Sequence, residues 1–468
     1  MAGISEGEFG VAGNEDDCHL LHREDLHIEP FQPVTYNIER VGALKDVIAP
    51  PYDVMTPQER ESYARSHPFN IVHILLPRQA CESIERSSDE YELAGTLARR
   101  WLSEGILIAS QKPFAFPYRQ LFKDEMGGTV EQWSVIVALQ LREYSSGVVR
   151  PHEMTTQSSK LDRLMLLRAT GLEMGQVYAL FIGDGSGVDE LLQSQARLDE
   201  PWLSVTDNKG VLHSIWRVDD SIWLSELRSA LKGSWILIAD GHHRYETAIA
   251  YMRERWMSEG GLSEDHPACY IGMALANLYG RVTVLPTHRL LHFSSPHERN
   301  EFVRWIFNAF GWGGYVERMD VRTALERFQQ VDDSESVSFV ALYGNEAILL
   351  RVPTHELDKL YCSDAGNRAN LIRAGVNTVV LHELILPMAM HSIGLDEEPS
   401  LSYTQDVAEA IKVASSDESS VAILLRPIVA TQLRLVAELG EKLPPKSTYF
   451  YPKVPSGLVM RLLTRDFA

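Results

Sequence analysis

The sequence predicts a mixed α/β (α+β) fold, on three observations. Short apolar runs such as Trp235-Ile-Leu-Ile-Ala239 end abruptly in Asp-Gly or Pro, as buried strands do. Elsewhere apolar residues recur at helical spacing, as in Tyr245, Ala248, Ile249, Met252 and Trp256. Beyond residue 297 helix and strand patterns alternate, which argues against an all-β protein or a helical bundle. A chain of 468 residues is long enough for two or three domains.

Residues 1–27 read as a disordered acidic leader, with Glu6, Glu8, Glu15, Asp16 and Asp17 and few large apolar groups. Residues 47–54 are expected to form a strand running into the Pro50-Pro51 bend, which would hold Tyr52 and Asp53 stiffly. Thr56-Pro-Gln-Glu59 has the spacing of a capping box. Residues 70–77 read as a strand, and 91–105 as a helix with Leu93, Leu97, Trp101 and Leu102 inward. Residues 114–122 and 133–141 read as strands paired around Gly127-Gly128. A polar turn at 150–155, a helix at 161–169 and a strand at 176–182 follow. Residues 274–285 are strand-like. Further on, a helix at 300–310, a hairpin of 338–343 with 347–352, a helix at 379–386, a strand at 421–425 and a helix at 429–441 are expected.

The chain carries 44 basic and 64 acidic residues, a formal net charge of −20, which opposes a phosphate backbone at long range and disfavours nucleic acid as a partner. Its four cysteines, Cys18, Cys81, Cys269 and Cys362, form no CxxC pair and fit a reducing cytoplasm. No apolar run reaches the roughly 18 residues of a membrane span, and the N-terminus lacks a secretory pattern, so a soluble, cytoplasmic protein is expected. There is no Walker loop and no GxSxG elbow. Gly183-Asp-Gly-Ser-Gly187 lacks the full dinucleotide fingerprint, and His382-Glu383 is not followed by a second zinc-protease histidine.

The densest chemistry lies where residues 235–239 give way to Asp240-Gly-His-His-Arg244 and a helix. A helix start leaves N–H groups without partners and carries the positive end of the macrodipole, which suits phosphate. Gly241 admits a ligand close to the backbone, Arg244 offers a bidentate fork, and His242 and His243 can donate protons or bind metal. The proline-stiffened turn Pro151-His-Glu-Met-Thr155 can present Glu153 as a general base, or use Glu153 or Thr155 to cap the next helix. Leu285-Pro-Thr-His-Arg289 adds His288 and Arg289 behind another strand. Lys446-Ser-Thr-Tyr-Phe-Tyr-Pro-Lys453 is expected to be a solvated strand edge, a phosphate clamp being the other reading.

With Ala49-Pro-Pro-Tyr-Asp-Val54, Asn70-Ile-Val72 and Asp162-Arg163 added, these motifs make the chain resemble domain-of-unknown-function family 1015 from about residue 31 to about 463. One departure is Leu443-Pro-Pro445, where the family has Met-Pro-Gln. Pro151-His-Glu153 followed by Asp240-Gly-His-His-Arg244 is also similar to the paired motifs of ParB-like free serine kinases, whose superfamily includes sulfiredoxin. This second resemblance implies a central ParB/sulfiredoxin-like nucleotide-binding core over 133–296, flanked by α/β portions at 28–132 and 297–468.

It further implies that Gly241, His242, His243 and Arg244 hold the phosphates of ATP or ADP, and that Asp240 orients the turn or Mg²⁺. Glu153, Asp240 and His243 would then serve the chemistry, with Tyr52, Asp53, His152, His288 and Arg289 on the substrate side. Sulfiredoxin chemistry is not expected, because His242 stands where that turn has its cysteine. The implied activity is phosphoryl transfer to a small hydroxyl compound such as free serine. The residues leave two other readings open. One is a metal-dependent hydrolase using His152, Glu153, Asp240, His242 and His243; the other is a nucleotide-binding regulatory protein without turnover. The expected partners are a nucleotide and a small substrate, with no nucleic acid and no membrane; the oligomeric state stays open.

Overall fold

The computed structural model describes residues 24–77, 88–124, 127–183, 185, 187–311, 314–331, 335–360, 366–395 and 397–463. The leader expected over 1–27 lies outside them up to residue 23. The fold is mixed α/β, built on two large sheets and two small ones.

Nine strands make the first sheet: β1 Ile28–Glu29, β2 Phe116–Lys123, β3 Thr129–Gln140, β4 Val149–Arg150, β5 Val177–Ile182, β6 Leu203–Thr206, β7 Leu212–Ile215, β8 Trp235–Asp240 and β9 Tyr270–Asn277. Their order is β4-β8-β5-β9-β3-β2-β7-β6, and β1 adds to β3. All six residues of β5 are buried, as befits a central strand covered on both faces. Two helices cover the site end of this sheet, α1 Gln157–Thr170 and α2 His242–Glu259, and they pack on each other. Helix α2 buries Tyr245, Ala248, Ile249 and Met252, the face its spacing predicts. Its first turn is pinned to the end of β3, because the Tyr245 hydroxyl donates to Arg142 O at 2.7 Å and accepts from Arg142 N at 3.0 Å.

The second sheet holds β10 His288–His292, β11 Val316–Asp320, β12 Ser336–Tyr343, β13 Glu346–Pro353, β14 Ser400–Thr404 and β15 Ser420–Leu424, in the order β11-β13-β12-β15-β10-β14. The expected hairpin is the β12–β13 pair. After this sheet the chain turns back to join the two small ones. Tyr449–Tyr451 pairs with Thr283–Leu285, and Met460–Leu462 joins Pro33–Tyr36, Leu107–Ala109 and Leu172–Glu173. This return places residues near the C-terminus beside α2.

Four local expectations are corrected. Residues 47–54 form no strand, but a single antiparallel bridge from Ala49 to Ser456 and a turn of 3-10 helix at Tyr52–Val54. The prolines carry no N–H, and the buried Asn70 amide donates to Asp46 O at 2.8 Å and Ile48 O at 3.2 Å where a neighbouring strand would. Residues 70–77 are a short helix, Val72–Leu75, because Asn70 Oδ1 accepts from Val72 N and starts a turn. The helix Ser88–Ser103 buries Tyr91, Ala94, Ala98 and Trp101, while Leu93 is exposed. Residues 274–285 are two strands, parted by a turn in which Asn277 Oδ1 accepts from Tyr279 N. The capping box forms as expected, Glu59 N donating to Thr56 Oγ1 and Thr56 N to Glu59 Oε2.

Candidate functional site

The register of β8 against β5 shifts between Ile238 and Asp240, an irregularity of the kind that re-aims side chains next to sites. Gly241 follows with φ 95° and ψ 31°, left-handed backbone that glycine adopts without strain. Arg244 folds back over it: its Nη2 donates to Asp240 Oδ2 at 2.6 Å and its Nη1 to Gln176 O. The other Asp240 oxygen accepts from Lys453 Nζ. Burial works to raise the Asp240 carboxyl, but Lys453 and Arg244 outweigh it and hold the group well below its ordinary range.

A Cβ on Gly241 would lie 2.8 Å from Nε and Nη2 of Arg244. Gly241→Ala is therefore expected to displace the guanidinium and strain the turn, costing about 1–3 kcal/mol of stability, measurable as a lower urea midpoint.

The PHE turn sits against this one. His152 Nδ1 donates to Ile238 O at 2.7 Å, so its Nε2 accepts from the Thr448 hydroxyl at 2.8 Å. The His152 N–H donates to His242 Nε2 at 3.3 Å, and the two rings meet edge to face. Burial lowers both imidazoles, His152 to about 4. Both are neutral and committed to the fold. His243 is half-buried, and its Nδ1 has no hydrogen-bond partner among the described residues. Burial lowers it too, against the opposing charges of Asp53 and Glu246.

Glu153 is the outlier. Burial pushes its carboxyl up to about 7, against the pull of Lys446 and Lys453, with Asp240 and Asp53 adding to the rise. The charges of Lys446, Lys453, Asp240 and Asp53 all act on Glu153. Thr155 caps no helix: it donates to Glu246 Oε2 at 2.7 Å, where Lys160 Nζ also lies at 3.0 Å, tying the PHE turn and α1 to α2. Helix α1 starts after Thr156 without a side-chain cap.

Of the other expected residues, Tyr52, His288 and Arg289 are engaged in contacts of the fold. The Arg163 guanidinium lies 4.2 Å over the Tyr52 ring, and burial raises the Tyr52 hydroxyl to about 12. Asp53 is exposed, and its charge bears on His243, Glu153 and Lys453. His288 is buried in the second sheet and accepts from Leu425 N. Arg289, fully buried, donates to His382 Nε2 at 3.0 Å, to Thr287 O, and to the carbonyls of Pro445 at 3.2 Å and Lys446 at 3.0 Å. It thereby steadies Lys446, whose φ of 55° is left-handed.

The solvated edge expected at 446–453 is overturned: Phe450 and Ser447 are buried, and the Lys453 side chain is 14% exposed. Lys446, Lys453, Thr448, Gln176 and Glu246 thus join a site that the two turns alone did not announce. The signal available in the sequence was the density of lysines and hydroxyls at 446–453.

The donor set suits an anion better than a metal. Each Asp240 oxygen faces a cation, so Asp240 does not fit the Mg²⁺ role expected of it. Among the described residues, no three His, Cys, Asp or Glu side chains are grouped to hold a metal ion. Among them, too, no single helix is long and apolar enough to cross a membrane.

No curated protein matches the chain. Among solved structures, it is similar to a conserved hypothetical protein from Pyrococcus furiosus at 14% identity and TM-score 0.31, covering 69% of this chain and 93% of that one. It is similar to a free serine kinase in complex with AMP at 13% identity and TM-score 0.31, covering 69% and 90%. SbnI with C-terminal truncation from Staphylococcus aureus matches at 9% identity and TM-score 0.33, covering 68% and 87%. Scores of this size place no ligand on this chain. Residues 28–373 match the model described as protein of unknown function (DUF1015), and the chain belongs to that family.

Proposed function

We propose that the chain is a nucleotide-dependent phosphotransferase acting on a small hydroxyl compound, with Glu153 as the base. The observation that carries this reading is a carboxyl pushed up to about 7 by burial against the charges of Lys446 and Lys453, next in the chain to His152, whose N–H donates to His242 at the start of an 18-residue helix. Phosphoryl transfer asks a protein mainly for positioning and charge neutralisation. The start of α2, where Gly241 offers no side-chain cap, would supply backbone N–H donors for phosphate oxygens, with Lys446 and His243 beside them. Glu153 takes the proton of the acceptor hydroxyl as that oxygen bonds to phosphorus and the bond to the leaving phosphate breaks. The motif similarity to free serine kinases makes serine the first acceptor to try.

The hydrolase reading is less well supported, because three of its five candidate ligands are engaged with protein groups. His152 has both ring nitrogens engaged, His242 Nε2 accepts from backbone, and Asp240 is paired twice.

The test is a phosphate-transfer assay with ATP or ADP and Mg²⁺ against serine and related hydroxyl compounds. Phosphorylated product is expected. Nucleotide binding without product from any pair would leave a binding protein and overturn the transferase. Because the base must be ionised, kcat/KM is expected to rise with pH through about 7 and level off above it.

A further inference from the structure

A cavity of about 560 Å³, within the roughly 300–1,000 Å³ common for small-molecule sites, opens beside the PHE turn. Met154, next in the chain to Glu153, forms one wall, and the loop 440–445, which runs into Lys446, forms another. His382 and Glu383 line it from a turn of π-helix, Leu381–Ile385, a rare geometry that is frequent at functional sites. The loop is fixed against the PHE turn, because Leu443 N donates to His152 O at 2.8 Å and Arg368 Nη1 donates to Lys442 O. Arg368 is already paired: its Nη2 meets Glu383 Oε1, and its Nη1 lies 3.5 Å from Glu441 Oε2. His382 Nε2 accepts from Arg289 Nε at 3.0 Å. Lys442 is left over. Its ammonium has no hydrogen bond or ion pair among the described residues, and its charge reaches His242. The lining thus offers a spare cation and no spare carboxylate.

We infer that this cavity holds the acceptor and reads an acid group on it through Lys442, so that the substrate is a small hydroxy acid with its hydroxyl turned toward Glu153. The assignment rests on the phosphotransferase reading and deepens it. The acceptor oxygen bonds to phosphorus, its proton passes to Glu153, and the bond to the leaving phosphate breaks. An ammonium group on the acceptor meets no free carboxylate among the side chains lining this cavity, so it is not required. The hydrogen bond from Lys442 to the acid group lies away from the reacting hydroxyl. It holds ground state and transition state alike, and so acts on KM.

The experiment compares kcat/KM of the full chain for three acceptors with one nucleotide donor. Glycerate has a carboxylate and no ammonium, serine has both, and ethanolamine has only the ammonium. Glycerate is expected to fall within about tenfold of serine, and both to exceed ethanolamine by at least about tenfold, the size of one hydrogen bond to a charged group. In Lys442→Met the margin of glycerate over ethanolamine is expected to shrink about tenfold, through KM rather than kcat. Serine phosphorylated without glycerate, ethanolamine matching glycerate, or a margin unchanged in Lys442→Met would each overturn the assignment and leave the phosphotransferase standing. Product from a neutral hydroxyl compound but from none of the three would do the same. No product from any acceptor would bring down both readings.

Discussion

Glu153→Gln is expected to lower kcat by about 10²–10⁴-fold while leaving nucleotide affinity within about twofold. Glutamine keeps the shape of the side chain and removes only the group that accepts the proton. The same substitution is expected to raise stability at neutral and alkaline pH. The Glu153 carboxyl titrates higher in the folded chain, at about 7, than its ordinary 4.5, so the folded state binds that proton more tightly. Stability is therefore lost as pH rises from about 4.5 through about 7, and the loss persists above it. A glutamine carries no charge to desolvate and escapes that cost. Steady-state kinetics and thermal unfolding at pH 5 and pH 8 check both halves. A gain in stability coupled to a loss of turnover marks a residue kept for chemistry, and equal turnover in the variant would remove Glu153 as the base.

What the sequence made legible was local, and what it hid was distant in the chain. The Asp240-Gly-His-His-Arg244 turn was readable because strand, glycine and helix lie within 25 residues, Trp235–Glu259, and the period changes from run to stripe. Residues 70–77 misled because an apolar run looks the same in a buried strand and a buried short helix. The deciding fact was the Asn70 side chain bonding to Asp46 and Ile48, a tertiary contact. His288 and Arg289 were flagged by type alone; burial in the second sheet and the clamp on the 445–446 carbonyls assign them to support. For Lys453 the sequence offers a phosphate clamp only as the second reading of 446–453, and it does not show the residue's partner. Its partner Asp240 lies 213 positions earlier, and only the return of the chain to pair Tyr449–Tyr451 with Thr283–Leu285 brings them together.

That pairing sets up the second large effect. Lys453→Met is expected to cost about 3–5 kcal/mol, because it leaves the Asp240 carboxylate, itself 11% exposed, with one cation where it had two. The pH dependence gives an independent check. Asp240 titrates lower in the folded chain than its ordinary 3.8, so its stabilising share is fully present above about 3.8 and is lost as pH falls below it. In Lys453→Met the Asp240 carboxyl moves back up, so acid should destabilise the variant less steeply than the parent. Urea unfolding at pH 7 and in the acid range measures both terms. Asp240→Asn removes the buried charge, so the double variant should lose less than the two single losses combined. Strict additivity would mean that Lys453 and Asp240 act independently. Coupling would mean that the Gly241 turn is held from residues far along the chain, beyond the residues 28–373 matched by the family model. Lys453 would then act as a positioning residue, holding Asp240 so that Arg244 stays folded over Gly241 and the first N–H groups of α2 remain open to phosphate.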